Sequence, residues 1–126
     1  MSISKIDRIS AIEAAKICAI TLDEKKSEDI LLIDLKDVNT YLDLFLIATG
    51  SSQIHCRGLY RELSKKMKEL KFRERNRPDT GSNWIIMDYD ELVIHLFTRE
   101  AREYYRLENL WADAGIIDYT SYSSSG

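Results

Sequence analysis

The stretch WIIMDYDELVIHLFTREAREYYRLENLW, residues 84–111, decides the fold. Ile85, Ile86 and Met87 make a short apolar run, Asp88-Tyr89-Asp90 is a turn signal, and Leu92 to Phe97 is a second run of β-branched and apolar residues. Two such runs about a short polar break read as a β-hairpin. A helix follows at once, because the Thr98 hydroxyl can accept from a backbone N–H that the first helical turn leaves free, and Glu100 stands early in that turn. Ala101, Tyr104, Tyr105 and Glu108 then recur at helical spacings. Trp111 extends the Tyr104 and Glu108 series beside Leu107 and Leu110, so the spacing predicts that it packs a last helix onto the sheet.

Upstream, Gly50 and Ser51-Ser52 open the longest helix, whose stripe of Cys56, Leu59, Tyr60, Leu63, Met67 and Leu70 has amphipathic spacing. Before it, Leu42 to Thr49 is apolar nearly throughout and reads as a central strand, preceded by a mostly buried strand from Ile30 to Leu35. Ile3, Ile6, Ile9 and Ile12, continued by Ala15, Cys18 and Leu22, announce a first helix. Between Leu70 and Trp84 the sequence RERNRPDTGSN holds the only proline, and reads as a loop after a brief edge strand near Phe72. The order α-β-β-α-β-β-α predicts an α/β fold: a mixed β-sheet of four to five strands flanked by helices.

The chain has 126 residues, which predicts one domain over 1–118 and a flexible serine-rich end over 119–126. The longest apolar stretches, ILLI and LFLIA, are too short to span a bilayer, and MSISKIDRIS lacks the apolar core of a signal peptide, so a cytoplasmic protein is expected. Cys18 and Cys56 lie in separate helical patterns without zinc spacing and read as ordinary buried thiols, with no metal site. The net charge of −3 is uneven: residues 57–77 hold nine basic and three acidic groups (+6), while 78–126 hold three basic and nine acidic (−6). A basic centre suits phosphate and an acidic end suits a basic protein, although a solvated helix face with a charged loop explains the same count.

A strand ending in Thr49-Gly50-Ser51-Ser52 and opening a helix can hold an anion, and it raises a nucleotidyltransferase reading. That chemistry needs two carboxylates at alternate positions of a following strand to hold magnesium. None follow Gly50-Ser51, and Asp88-Tyr89-Asp90 falls in a turn, which leaves helix capping by Ser51 or Ser52 as the simpler reading. Hydrolytic chemistry lacks a Gly-x-Ser-x-Gly elbow. His95 in mid-strand could act as a base, but a half-buried structural or interface residue fits its alternation as well. His55, early in the long helix, is expected to face solvent or a subunit surface. Trp84 begins a strand directly after a polar loop, where a partly uncovered indole would anchor a protein interface or, alternatively, lid the sheet.

The ordering Trp84, Asp88-Tyr89, His95-Leu96-Phe97, Arg102, then Tyr104-Tyr105-x-Leu107-Glu108-x-Leu110-Trp111 closely resembles the ribosomal silencing factor, or Iojap-like, family. The resemblance runs back through Asp34, the Leu44 to Ser52 run and His55, and covers roughly residues 5 to 115. It implies a general architecture shared with nucleotidyltransferases but without their catalytic carboxylates, no enzymatic activity and no cofactor. It also implies binding to the large ribosomal subunit through large-subunit ribosomal protein fourteen, which blocks joining of the small subunit or aids large-subunit assembly. Carried over by position, Trp84 matches the family's interface tryptophan, and Asp88, Tyr89, His95, Arg102, Tyr105 and Glu108 match further motif residues. Thr80-Gly81 stands where the family has an acid-glycine pair, so no carboxylate role carries over there.

The rival reading, an RNA-binding module, would place Arg57, Arg61, Lys65, Lys68, Arg73, Arg75 and Arg77 on phosphates. Base-stacking aromatics are sparse there, only Tyr60 and Phe72, so base-specific recognition is not expected. Self-pairing of the free protein through a sheet edge or apolar face is a further expectation.

Overall fold

The computed structural model describes residues 8–35, 43–111 and 115–120. The elements in chain order are α1 (Ala11–Glu24), β1 (Glu28–Asp34), β2 (Leu44–Gly50), α2 (Gln53–Glu69), β3 (Trp84–Asp88), β4 (Leu92–Thr98), α3 (Arg99–Tyr105), a 3-10 turn (Leu107–Trp111) and β5 (Gly115–Ile116). They form one five-stranded sheet in the order β3-β4-β2-β1-β5. Only β2 and β4 run parallel, in register from Leu44 with Leu92 to Gly50 with Thr98; the other pairs are antiparallel. The α/β class, the mixed sheet, the central place of β2 and the hairpin are as the sequence predicts.

Both central strands are buried at every position, which explains their lack of polar alternation. Leu44, Leu46, Leu92, Ile94 and Leu96 point to the inner face, where α1 and α2 cover them with Ala14, Cys18, Leu22, Leu59, Leu63 and Met67. Phe45, Ile47, Val93 and Phe97 point outward and pack with Ile33, Leu35, Ala101 and Leu107. Two cores therefore share the same strands, one on each face.

Four local readings change. Helix α1 starts at Ala11, because Ser10 is extended and its hydroxyl accepts from the Glu13 N–H; Ile9 precedes that cap, Ile12 is exposed, and Ile3 and Ile6 lie outside the described residues. The last helix stops at Tyr105, since Arg106 is left-handed (φ 46°), and Leu107–Trp111 is a separate 3-10 turn. The side-chain packing of Trp111 lies outside the described residues. Phe72 is buried in the inner core with no strand around it: Lys71 turns left-handed (φ 69°) and the Phe72 N–H donates to the Met67 carbonyl, a capping geometry that swings Phe72 back onto the core. The fifth strand, Gly115–Ile116, was not expected as an element; it pairs with the end of β1. Tyr119 packs against the inner core.

The β2-to-α2 junction is tight. A Cβ built on Gly50 would stand 2.6 Å from Cys56 Sγ and 3.2 Å from the Cys56 nitrogen. Gly50→Ala is expected to destabilise the fold by about 1–3 kcal/mol in urea unfolding, and adding Cys56→Ala to recover part of that loss. An unchanged unfolding midpoint in the single variant would show that the junction has slack.

Candidate interface on the outer sheet face

Alternation along the hairpin places Trp84, Ile86 and Asp88 of β3 beside Phe97, His95 and Val93 of β4 on the outer face. The Trp84 ring lies 5.0 Å from Phe97 in a stacked pair, 4.7 Å from Tyr105 and 5.8 Å from His95 between centroids. Its indole Nε1–H donates to His95 Nδ1 at 3.0 Å. That bond fixes the neutral tautomer with the proton on Nε2. His95 is only 5% exposed, against the half-buried reading; Phe45 meets it edge-on at 4.6 Å, and among the described residues Nε2 has no hydrogen-bond partner. Burial alone pushes the imidazole down to about 4.

The rim of this cluster is open. Tyr104 is 81% exposed, Tyr105 50% and Ile86 36%, with Tyr104 and Tyr105 in a T-shaped pair. Tyr104 and Ile86 were missed by the sequence reading: the alternation that places Trp84 also places Ile86, whereas Tyr104 lies at the end of a helix whose stop at Tyr105 the spacing does not reveal.

The other expected site residues are distributed differently. Asp88 shares the outer face with Trp84 and accepts the Asp90 N–H on its carboxylate, closing the turn with Asp90 left-handed. Tyr89 points to the inner side, buried, with its hydroxyl donating to Glu74; desolvation and the Glu74 carboxylate push its phenol well up. Arg102 is buried under the sheet end, donating to Thr49 Oγ1 at 2.9 Å, to the Asp29 carbonyl at 2.8 Å and to Glu108 at 3.2 Å. The guanidinium thus ties β1, β2 and the 3-10 turn to α3, and Glu108 is its ion-pair partner. Sequence spacing does not reveal such a tie, since Asp29 and Thr49 are distant in the chain.

The Gly50-Ser51-Ser52 turn is occupied from within. Ser52 accepts the His55 N–H as the N-cap of α2, and the Ser51 N–H donates to His55 Nδ1 at 2.9 Å. His55 Nε2–H then donates to the Lys25 carbonyl at 2.9 Å, so this histidine clips α2 to the turn after α1 rather than facing solvent. Nearby Arg99 is paired with Glu28. Among the described residues no group of three or more His, Cys, Asp or Glu side chains is arranged to hold a metal, and no helix is long and apolar enough to cross a membrane. Cys18 and Cys56 are free and buried, and burial pushes the Cys18 thiol up to about 12.

A family model described as ribosomal silencing factor during starvation matches residues 8–125. The chain belongs to that family. It is 33% identical to the ribosomal silencing factor RsfS of Bacillus subtilis over 82% of this chain and 88% of the relative. It is also 31% identical to the mouse mitochondrial assembly of ribosomal large subunit protein 1, over 83% of this chain but only 48% of that longer protein. A crystal structure of a Chromobacterium violaceum protein superposes with a TM-score of 0.78 at 25% identity, covering 82% of this chain and 88% of that one. The family is one of ribosome-associated regulators of translation, and the fold agrees with that of the solved structure.

The buried imidazole makes a pH prediction. Its folded pKa lies below the unfolded value of 6.5, so the unfolded chain binds more protons between pH 6.5 and about 4, and stability falls as pH drops through that window. The loss attributable to His95 is of order 3 kcal/mol. His95→Gln should flatten that part of the stability profile when urea unfolding is followed against pH; parallel profiles for the two proteins would place the imidazole in a wetter site.

Proposed function

We propose that this protein silences translation by docking its outer sheet face on large-subunit ribosomal protein fourteen, where its bulk keeps the small subunit from joining. The observation that carries the reading is the open rim of Tyr104, Tyr105 and Ile86 around the half-buried Trp84 ring. Aromatic anchors set in a rigid frame are what concentrate binding energy in protein interfaces, and a patch of roughly 800 Å² per partner fits one face of a domain this size.

Charge favours a basic partner. Asp88 shares the outer face and belongs to the segment that carries −6, and acidic groups near an aromatic centre speed encounter with a basic ribosomal protein. The action needs occupancy and no turnover, so the protein is a non-enzymatic factor that works without a cofactor in the cytoplasm, where ribosomal subunits meet. Assistance in large-subunit assembly is compatible with the same contact, and the name of the mouse relative points the same way.

Sedimentation with separated subunits tests this directly: the protein should co-migrate with the large subunit and lower the fraction of joined ribosomes. Trp84→Ala should weaken large-subunit binding about thirtyfold, roughly 2 kcal/mol. Tyr104→Ser, at a side chain with little burial to lose, should weaken it several-fold with an unchanged thermal midpoint. Co-migration with the small subunit alone, or full binding by both variants, would contradict the reading.

A further inference from the structure

The basic segment after α2 is anchored through Glu74, Arg75 and Asn76 in a way that a solvated loop does not require. Glu74 points inward, accepting from the hydroxyls of Tyr60, Ser64 and Tyr89 at 3.2 to 3.4 Å. Asn76, itself exposed, caps the strand edge: its Nδ2 donates to the Ile86 carbonyl at 2.8 Å and its Oδ1 accepts the Asp88 N–H at 2.9 Å, so a side chain completes the outer edge of β3. Between them the Arg75 N–H donates to the Asp88 carbonyl at 2.7 Å. Arg73, Arg75 and Arg77, the alternate residues, are all exposed. The chain bends at Asn76, so Arg73 and Arg75 project to one side about 6.6 Å apart as in an extended chain, and Arg77 follows the bend.

A second row runs beside the first. At about 100° per residue, Arg57, Arg61, Lys65 and Lys68 occupy an arc of roughly 80° on α2, next to Tyr60 and Ser64, the two positions that hold Glu74. Only Arg75, with Asp90 at 3.3 Å, makes a salt bridge among these seven cations and the described residues. Cations that serve folding are paired, as Arg8 is with Glu91 and Arg102 with Glu108. These are instead spread in two parallel rows by anchors that the fold supplies.

We infer that the two rows form a preset surface for an RNA phosphate backbone, reached at the β3 edge when the outer face is docked. The inference rests on the ribosomal reading for the source of that RNA, and on the two rows alone for the chemistry. An anionic strand accepts from several guanidinium groups at once, whereas the sparse aromatics here give no means of reading bases.

The test uses the purified full chain and a short RNA hairpin, with polyglutamate as the alternative polyanion. Log affinity for the hairpin should fall linearly with log salt, and Arg73→Gln with Arg77→Gln should reduce the slope by between about 1.4 and 1.8, the share of two phosphate contacts. Asn76→Ala changes no charge, yet releasing the anchored edge should weaken binding several-fold while circular dichroism stays native; unchanged binding would overturn the preset surface. Equal affinity for polyglutamate and RNA would overturn it in favour of an acidic protein partner. Loss of large-subunit association in Tyr104→Ser, with the double arginine variant binding the large subunit and the hairpin normally, would overturn this inference and leave the docking reading intact. Hairpin binding with the expected slope by a protein that ignores the large subunit would do the reverse.

Discussion

The parallel pairing of β2 with β4 is the constraint on which the rest of the structure depends. Parallel neighbours cannot be joined by a tight turn, so the chain must leave the sheet at Gly50, build α2 and return as β3 before β4 can form. That excursion covers the inner face and brings the loop 71–83 along the β3 edge. Because both central strands are apolar on both sides, the outer face also needs a cover, and only the seven-residue α3, the 3-10 turn and the Trp84 ring are placed to contribute one among the described residues. A thin cover leaves aromatic edges exposed, which makes this face suited to a partner.

The same economy explains His95. On a strand sandwiched between two cores a polar side chain needs partners, and the Trp84 indole satisfies one nitrogen while the other has no partner within the described residues. A buried N–H without a partner costs stability, and the aromatic packing around His95 has to offset it. The Trp84 ring lids the outer core, which is one of the two readings open to it in the sequence; the other, contact with a partner, is the one proposed above. Arg102, by contrast, is engaged with Glu108 and with β1 and β2, and it holds α3 in place.

Much of this was legible in the sequence. The hairpin, its turn, the Thr98 cap and the helix stripe on α2 follow from period and capping alone, since each depends on residues close in the chain. The helix boundaries did not follow, because Ser10 and Arg106 break apolar spacing that continues on both sides of them. Period cannot register a cap or a left-handed residue. Tyr89 matched the family motif on the same terms as Trp84, yet the turn sends one to each face. His55 resembled a surface residue because its partners, the Ser51 amide and the Lys25 carbonyl, are backbone groups that no side-chain pattern reveals.

The central claim is that the outer face meets the ribosomal protein. Hydroxyl-radical labelling of the protein, free and bound to the large subunit, tests it residue by residue, since the method oxidises exposed aromatic and aliphatic side chains. The account predicts strong protection of Tyr104, Tyr105 and Ile86 on binding, with Ile12 on α1 labelled equally in both states. Unchanged labelling of the two tyrosines, with protection moved to Ile12, would contradict it.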